Sequence, residues 1–214
     1  MASDELSTRR PRGLTARGAQ TRQRILQTAS ELMRAHGVVA TQMEQVATAS
    51  GVSKSQLYHH FPTKTSLVHA VIDLRAEDLL ALHTEVLANV RSVRGLERWR
   101  DIVVGRLATV HGAFGCQLGT IATEIIEDDD VARASLQGYF HDWEDLLAAA
   151  LSAMVEDGEL TDRADPRALA QQIMVALQGG YLLSQVDRSE EPMRRGLDMA
   201  IDHVRTFQSS LPTD

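Results

Sequence analysis

Two helix-start signals fall within thirteen residues of one another, and their spacing limits what the segment from Thr41 to Phe61 can become. Thr41 with Glu44, and Ser53 with Gln56, each fit a capping box, in which a hydroxyl accepts from the N3 amide and the N3 side chain reaches back. Gly51 lies between them, where the chain must leave one helix and enter the next without the steric cost of a Cβ. Two short helices and a tight turn follow, the grammar of a helix-turn-helix. Met43, Val46, Ala47, Val52, Leu57 and Phe61 supply its inward face. Lys54, Ser55, Gln56, Tyr58, His59 and His60 are left to point elsewhere, and that mixture of cations, donors and rings suits nucleic acid.

Net charge bears on this reading because DNA demands local positive potential, and the chain as a whole carries −7. The distribution reverses the objection. Met1 to Thr65 holds nine basic and four acidic residues, a balance of +5, while the remainder holds thirteen basic and twenty-five acidic, a balance of −12. Such a split marks a nucleic-acid module joined to a part with another task. The apolar residues are mainly Leu, Ala, Val and Met, Pro is limited to 5 and alternating β-branched runs are missing, so the fold class expected is all-α. A single cysteine, Cys116, rules out an intrachain disulfide, and without an apolar signal segment at the N-terminus the expected compartment is the cytoplasm.

Residues 1–19 contain Arg9, Arg10, Arg12 and Arg17 without helical period, which predicts a flexible basic arm able to follow a DNA backbone. Residues 20–65 then form the DNA-binding domain, opened by a helix from Gln20 to His36 that Gly37 ends. Residues 66–214 form the second domain, a helical bundle for ligand binding and dimerisation. Thr63 can cap a helix that begins at Lys64 and runs to about Val90; a lysine there opposes the macrodipole, and a phosphate beside it would offset that. Ser92 starts a further helix that the glycines Gly112, Gly115 and Gly119 interrupt, and a short helix from Leu118 to Ile126 follows. The acidic run Glu127 to Asp130 favours the start of a long helix that ends at Gly158.

Asp165 before Pro166 is a strong helix start, and the helix it opens is uncharged from Ala168 to Val186. Gln171, Gln172, Gln178 and Gln185 argue against a membrane span there. Gly179 and Gly180 in its middle imply close backbone approach by a neighbour. With a last helix from about Glu190 to Phe207, the two terminal helices suggest a homodimer interface, with Leu177, Gly180, Leu197, Ile201 and Val204 as its candidate residues.

The first helix and the segment after it resemble the TetR family of bacterial transcriptional regulators. The residues that carry the likeness are Thr21, Arg22, Ile25, Leu26, Ala29, Leu32 and Gly37, then Val46, Ala47, Gly51, Val52, Ser53, Leu57, Tyr58, His60, Phe61, Lys64 and Leu67. Beyond them, Gly115-Cys116-Gln117-Leu118-Gly119 and Leu177-Gln178-Gly179-Gly180 resemble a branch that includes repressors answering to aromatic compounds. The resemblance implies an Ω-shaped homodimer that reads a palindromic double-stranded DNA operator in successive major grooves and is released by a small-molecule inducer. By position it implies base or phosphate contacts from Lys54, Ser55, Gln56, Tyr58, His59 and His60, a backbone contact from Thr41 and a phosphate contact from Lys64. Ser55 stands where the family commonly has Gly, so the operator sequence is not transferable; Thr65 stands where it has Glu, and neither departure damages the fold.

For a small apolar or aromatic inducer, His111, Phe114, Cys116, Phe140, Trp143, Met174, Gln178 and Tyr181 are the candidate pocket residues. Core packing explains the same stripe, and an inert buried thiol explains Cys116. The competing class, an enzyme on a helical bundle, lacks its usual spacings: neither Glu-x-x-His nor His-x-x-x-His occurs. No cofactor or metal is therefore expected, and the acidic cluster of Glu124, Glu127, Asp128, Asp129 and Asp130 reads as a helix start.

Overall fold

The computed structural model describes residues 15–109 and 115–209, and every regular element among them is an α-helix. In order these are α1 (Ala16–His36), α2 (Met43–Ala49), α3 (Lys54–His60), α4 (Lys64–Leu87), α5 (Val93–Thr109), α6 (Gln117–Ile125), α7 (Asp130–Glu156), α8 (Pro166–Asp187) and α9 (Glu191–Arg205). They divide into two compact units, one ending at Val71 and the other beginning at Ile72, so the division falls inside α4. No helix among the described residues is long and apolar enough to cross a membrane.

In the N-terminal unit α1 packs on α2 and α2 on α3, around Ile25, Leu26, Ala29, Met33, Val46, Leu57 and Phe61. Burying side chains of this size contributes roughly 1.5–3 kcal/mol each before entropy is charged against it. The helix α1 starts earlier than its apolar period suggested. Thr15 caps it by accepting from the Gly18 amide at 3.2 Å, so Arg17 belongs to a helix and not to an arm; Arg9, Arg10 and Arg12 lie outside the described residues.

The C-terminal unit is organised on α8, which packs against both α7 and α9, while α9 also packs against α5. Asp165 caps α8 by accepting from the amides of Arg167 and Ala168, and Asp129 caps α7 by accepting from Ala132 at 2.9 Å, as the acidic run predicted. Close helix approach holds at one glycine of the adjacent pair and fails at the other. A Cβ at Gly180 would lie 2.9 Å from the Met193 Cα, whereas one at Gly179 meets nothing within 4 Å. On α9, Gly196 returns the close approach: a Cβ there would lie 3.2 Å from the Ala176 carbonyl oxygen.

The α5–α9 seam carries ion pairs running both ways: Arg100 to Asp198, Arg194 to Asp101 at 3.1 Å, and Arg205 to Glu97 at 2.6 Å. Below it, an isolated antiparallel bridge joins Leu160 to Gln208, with the Thr161 amide donating to the Phe207 carbonyl at 2.8 Å. This pins the α7–α8 loop to the end of α9.

The expected dimer residues are corrected by the same packing. Leu177, Gly180, Leu197, Ile201 and Val204 are all buried inside the single chain, because they form the face that α8 and α9 turn to each other and to the core. Exposed instead are Val175, Leu182, Leu183 and Val186 on α8, and Met199 on α9. Val175, Gly179, Leu182 and Val186 follow one another at four- and three-residue steps, one stripe along the helix.

Candidate nucleic-acid interface and effector cavity

At the turn between α2 and α3, Gly51 adopts φ +64°, a left-handed conformation that glycine reaches without a Cβ clash. Ser53 then caps α3 in the anticipated box: its Oγ accepts from Gln56 N at 3.2 Å and its amide donates to Gln56 Oε1 at 3.0 Å. The other box is displaced by one residue. Gln42 is the cap of α2 and its amide donates to Gln45 Oε1 at 2.9 Å, while Thr41 is buried and gives its hydroxyl to the Gly37 carbonyl at 2.7 Å. The Thr41 side chain thus ties α1 to the turn before α2, and Glu44 is released for another partner.

That partner is Lys54, whose Nζ lies 2.8 Å from Glu44 Oε1 and 5.8 Å from the Tyr58 ring centroid. The hydrogen bond holds the Glu44 carboxyl below its ordinary range and the Lys54 ammonium above its own. Ser55, Gln56, Tyr58 and His59 are exposed on the same short helix. His60 is half-buried, and burial, then the neighbouring His59 and Arg22, push its imidazole down towards the neutral form. Lys64 at the start of α4 donates Nζ to the Val39 carbonyl at 2.9 Å, and Thr63 caps that helix by accepting from Ser66 N at 3.0 Å. Arg22 of α1 stacks over Phe61, 4.9 Å from the ring centroid.

The C-terminal unit holds a cavity of about 530 Å³ between α4, α5, the start of α6 and Tyr181 of α8. Cys116 and Tyr181 line it as anticipated; Phe140, Trp143, Met174 and Gln178 are not among its lining residues, and His111 and Phe114 fall outside the described residues. Trp143 is fully buried one layer behind, its ring 4.5 Å from that of His83, which does line the cavity. Cys116 is the N-cap of α6, its sulfur accepting from Gly119 N at 3.4 Å, so Gly119 lies inside a helix rather than breaking one. Burial pushes the Cys116 thiol up and the Tyr181 phenol up, leaving both protonated.

His83, Arg106, Arg75 and Gln117 are among the cavity residues that pattern reading missed. A signal for His83 existed: it follows the apolar stripe of α4 at Ala76 and Leu79 and precedes Leu87, a histidine at a core position. Its Nδ1 accepts from Trp99 Nε1 at 3.0 Å, and burial followed by the Arg106 charge pushes its pKa down to about 4. No cluster of three or more His, Cys, Asp or Glu side chains suited to a metal occurs among the described residues.

Comparison with known proteins agrees with both halves of this arrangement. The profile of the bacterial regulatory proteins of the tetR family matches residues 25–71, and that of the LmrA/YxaF-like transcriptional regulator C-terminal domain matches residues 92–198. The HTH-type transcriptional repressor DhaR of Mycobacterium sp. (strain GP1) is 23% identical over 192 residues, 90% of this chain and 93% of that protein. YxaF of Bacillus subtilis, an HTH-type transcriptional regulator, is 25% identical over 182 residues, 84% of this chain and 92% of its own. A TetR regulatory protein from Rhodobacter sphaeroides superposes with a TM-score of 0.77 at 22% identity, covering 86% of this chain and 98% of that one. A helix-turn-helix on an all-α chain and two family profiles over its two units lead to one conclusion: the protein belongs to the TetR family of bacterial transcriptional regulators.

Proposed function

We propose that the protein is a homodimeric repressor that binds a palindromic operator through α3 and is released when a small molecule occupies the C-terminal cavity. The observation that carries the reading is the Ser53-capped α3 with Lys54, Ser55, Gln56, Tyr58 and His59 exposed together, within the N-terminal residues 1–65 whose charge balance is +5 against −12 for the remainder. These side chains are the proposed contacts, with His60 at their edge and Lys64 on a phosphate. Thr41 drops out as a side-chain contact, since its hydroxyl is spent internally. Dimerisation is supported by the exposed stripe of Val175, Gly179, Leu182 and Val186, which a single chain leaves in water. A second copy would set two α3 helices at half-sites about 34 Å apart, or a multiple of that. The repressor sign follows the name of the DhaR relative. Operator binding places the protein's work in the cytoplasm, and release is differential affinity of the ligand for two dimer states.

The test is selection of bound duplexes from a random pool, followed by anisotropy titration of the selected site. Tyr58→Ala and Gln56→Ala should each weaken that site by about tenfold or more while leaving random DNA nearly unchanged. Lys64→Ala should weaken both alike and flatten the salt dependence by about one unit of slope. Selection that returns no palindrome, or equal loss on specific and random DNA for the α3 variants, would remove the reading.

A further inference from the structure

Resting on the DNA-binding reading above, we propose that Glu44 is a specificity-determining residue. Together with Lys54 it reads one C·G base pair in each half-site, the carboxylate taking the cytosine amino group and the ammonium taking guanine. Glu44 lies in the first turn of α2 and Lys54 at the start of α3, so the pair spans the turn between the two helices. Each helix start is fixed by its own box, Gln42 with Gln45 on one side and Ser53 with Gln56 on the other. The packing of α2 on α3 then brings the two charges to 2.8 Å. The Glu44 side chain is 56% exposed and that of Lys54 66%, beside the exposed Ser55, Gln56 and Tyr58. An ion pair this open to solvent adds almost nothing to stability, so its bearing is on what it can bind.

A carboxylate has about four acceptor sites and an ammonium three donors. Lys54 and the residue's own backbone amide occupy acceptor sites of Glu44. One N–H of Lys54 goes to Glu44, and the Tyr58 ring centroid lies 5.8 Å from its Nζ. That leaves acceptor sites and N–H donors side by side, one hydrogen bond apart. In the major groove a C·G pair shows two acceptors on guanine, N7 and O6, and then the N4 amino donor of cytosine. O6 and N4 are hydrogen-bonded to each other, so they too stand one hydrogen bond apart. Lysine donors over O6 and N7 with a carboxylate over N4 match that order. An A·T pair shows acceptor, donor, acceptor: a carboxylate drawn to adenine N6 meets the acceptor N7 beside it, and a lysine drawn to thymine O4 meets a methyl group. The pair therefore favours C·G, and being formed before DNA arrives it needs little further ordering.

Base preference, rather than affinity, is the readout. Duplexes would be selected from a random pool by wild-type protein, Glu44→Ala, Glu44→Gln, Lys54→Ala and the double alanine variant, and single-base variants of the wild-type site titrated by anisotropy. Wild type should prefer C·G by about tenfold at one position of each half-site. Glu44→Ala and Lys54→Ala should both relax that same position to about twofold or less and leave the others unchanged, and the double variant should lose no more preference than either alone. Glu44→Gln should shift the cytosine position towards adenine, since an amide pairs with N6 and N7 together. Both residues are exposed, so every variant should fold, which thermal melting checks. Affinity changed uniformly with every base preference intact, or the two variants relaxing different positions, would overturn the proposal while leaving operator binding in place. A wild-type selection that returns no palindrome would remove both readings.

Discussion

Lowering the pH from about 8 to about 5 in urea-unfolding experiments is expected to separate the wild-type protein from His83→Asn. The imidazole has its ordinary value, 6.5, in the unfolded chain and about 4 when folded, because it is buried and Arg106 stands nearby. With the folded value depressed, the unfolded chain takes the proton first. The contribution of His83 is therefore intact above about pH 7 and is lost as the pH falls through the window from 6.5 towards 4. At about 1.4 kcal/mol per pKa unit, the complete loss is about 3 kcal/mol, of which about 2 kcal/mol has gone by pH 5. That is a large part of a typical domain stability of about 5–15 kcal/mol. Asn at this position offers Oδ1 to Trp99 in place of Nδ1 and cannot titrate. Other groups contribute equally to both proteins, so the wild-type minus variant difference should shrink by about 2 kcal/mol between the two pH values at unchanged m. Two stability curves falling in parallel would refute the assignment of a buried neutral imidazole.

Adjacent glycines on α8 should respond in opposite directions: Gly180→Ala forces a Cβ onto the Met193 backbone and should cost about 1–3 kcal/mol, whereas Gly179→Ala meets nothing and should gain up to about 1 kcal/mol in thermal melts of monomer. Leu182→Glu places a charge on the exposed α8 stripe, and light scattering should find monomer where wild type is dimeric, with monomer stability changed by less than about 0.5 kcal/mol. Glu44→Gln removes the partner that holds Lys54 at 2.8 Å, so binding to random DNA should tighten and its salt dependence steepen; filter binding that finds no change would show that the pair does not restrain Lys54.

What could be read from the chain was whatever local chemistry decides. The Ser53 box, the Asp165-Pro166 start and the acidic start of α7 each depend on residues three or four apart, and all three are where spacing put them. Thr41 misled because Gln42 and Gln45 form an equally good pair one step later, and a tertiary bond to Gly37 claims the threonine. The terminal helices misled for a different reason. Periodicity finds the apolar face but not its partner, and α8 has apolar residues on both sides, so Leu177 went to the core while Leu182 stayed in water. Aromatic residues drew attention as a pocket, yet Trp143 is fully buried, whereas the cavity wall brings His83 of α4 and Arg106 of α5 together with Tyr181 of α8, far away in sequence. No spacing rule encodes that meeting.

The ion pairs between α5 and α9 divide one helix into two mechanical regimes. Glu97, Arg100 and Asp101, in its first half, are clamped to α9 through Arg205, Asp198 and Arg194, while Val103, Arg106 and Leu107, in its second half, form cavity wall. An α-helix resists bending over a few turns, so a push on the wall cannot simply be absorbed where it is applied. It would tilt α5 about the clamped end, a short lever with an electrostatic fulcrum. Salt, by screening those partly exposed charges, would soften the fulcrum before it touched the wall.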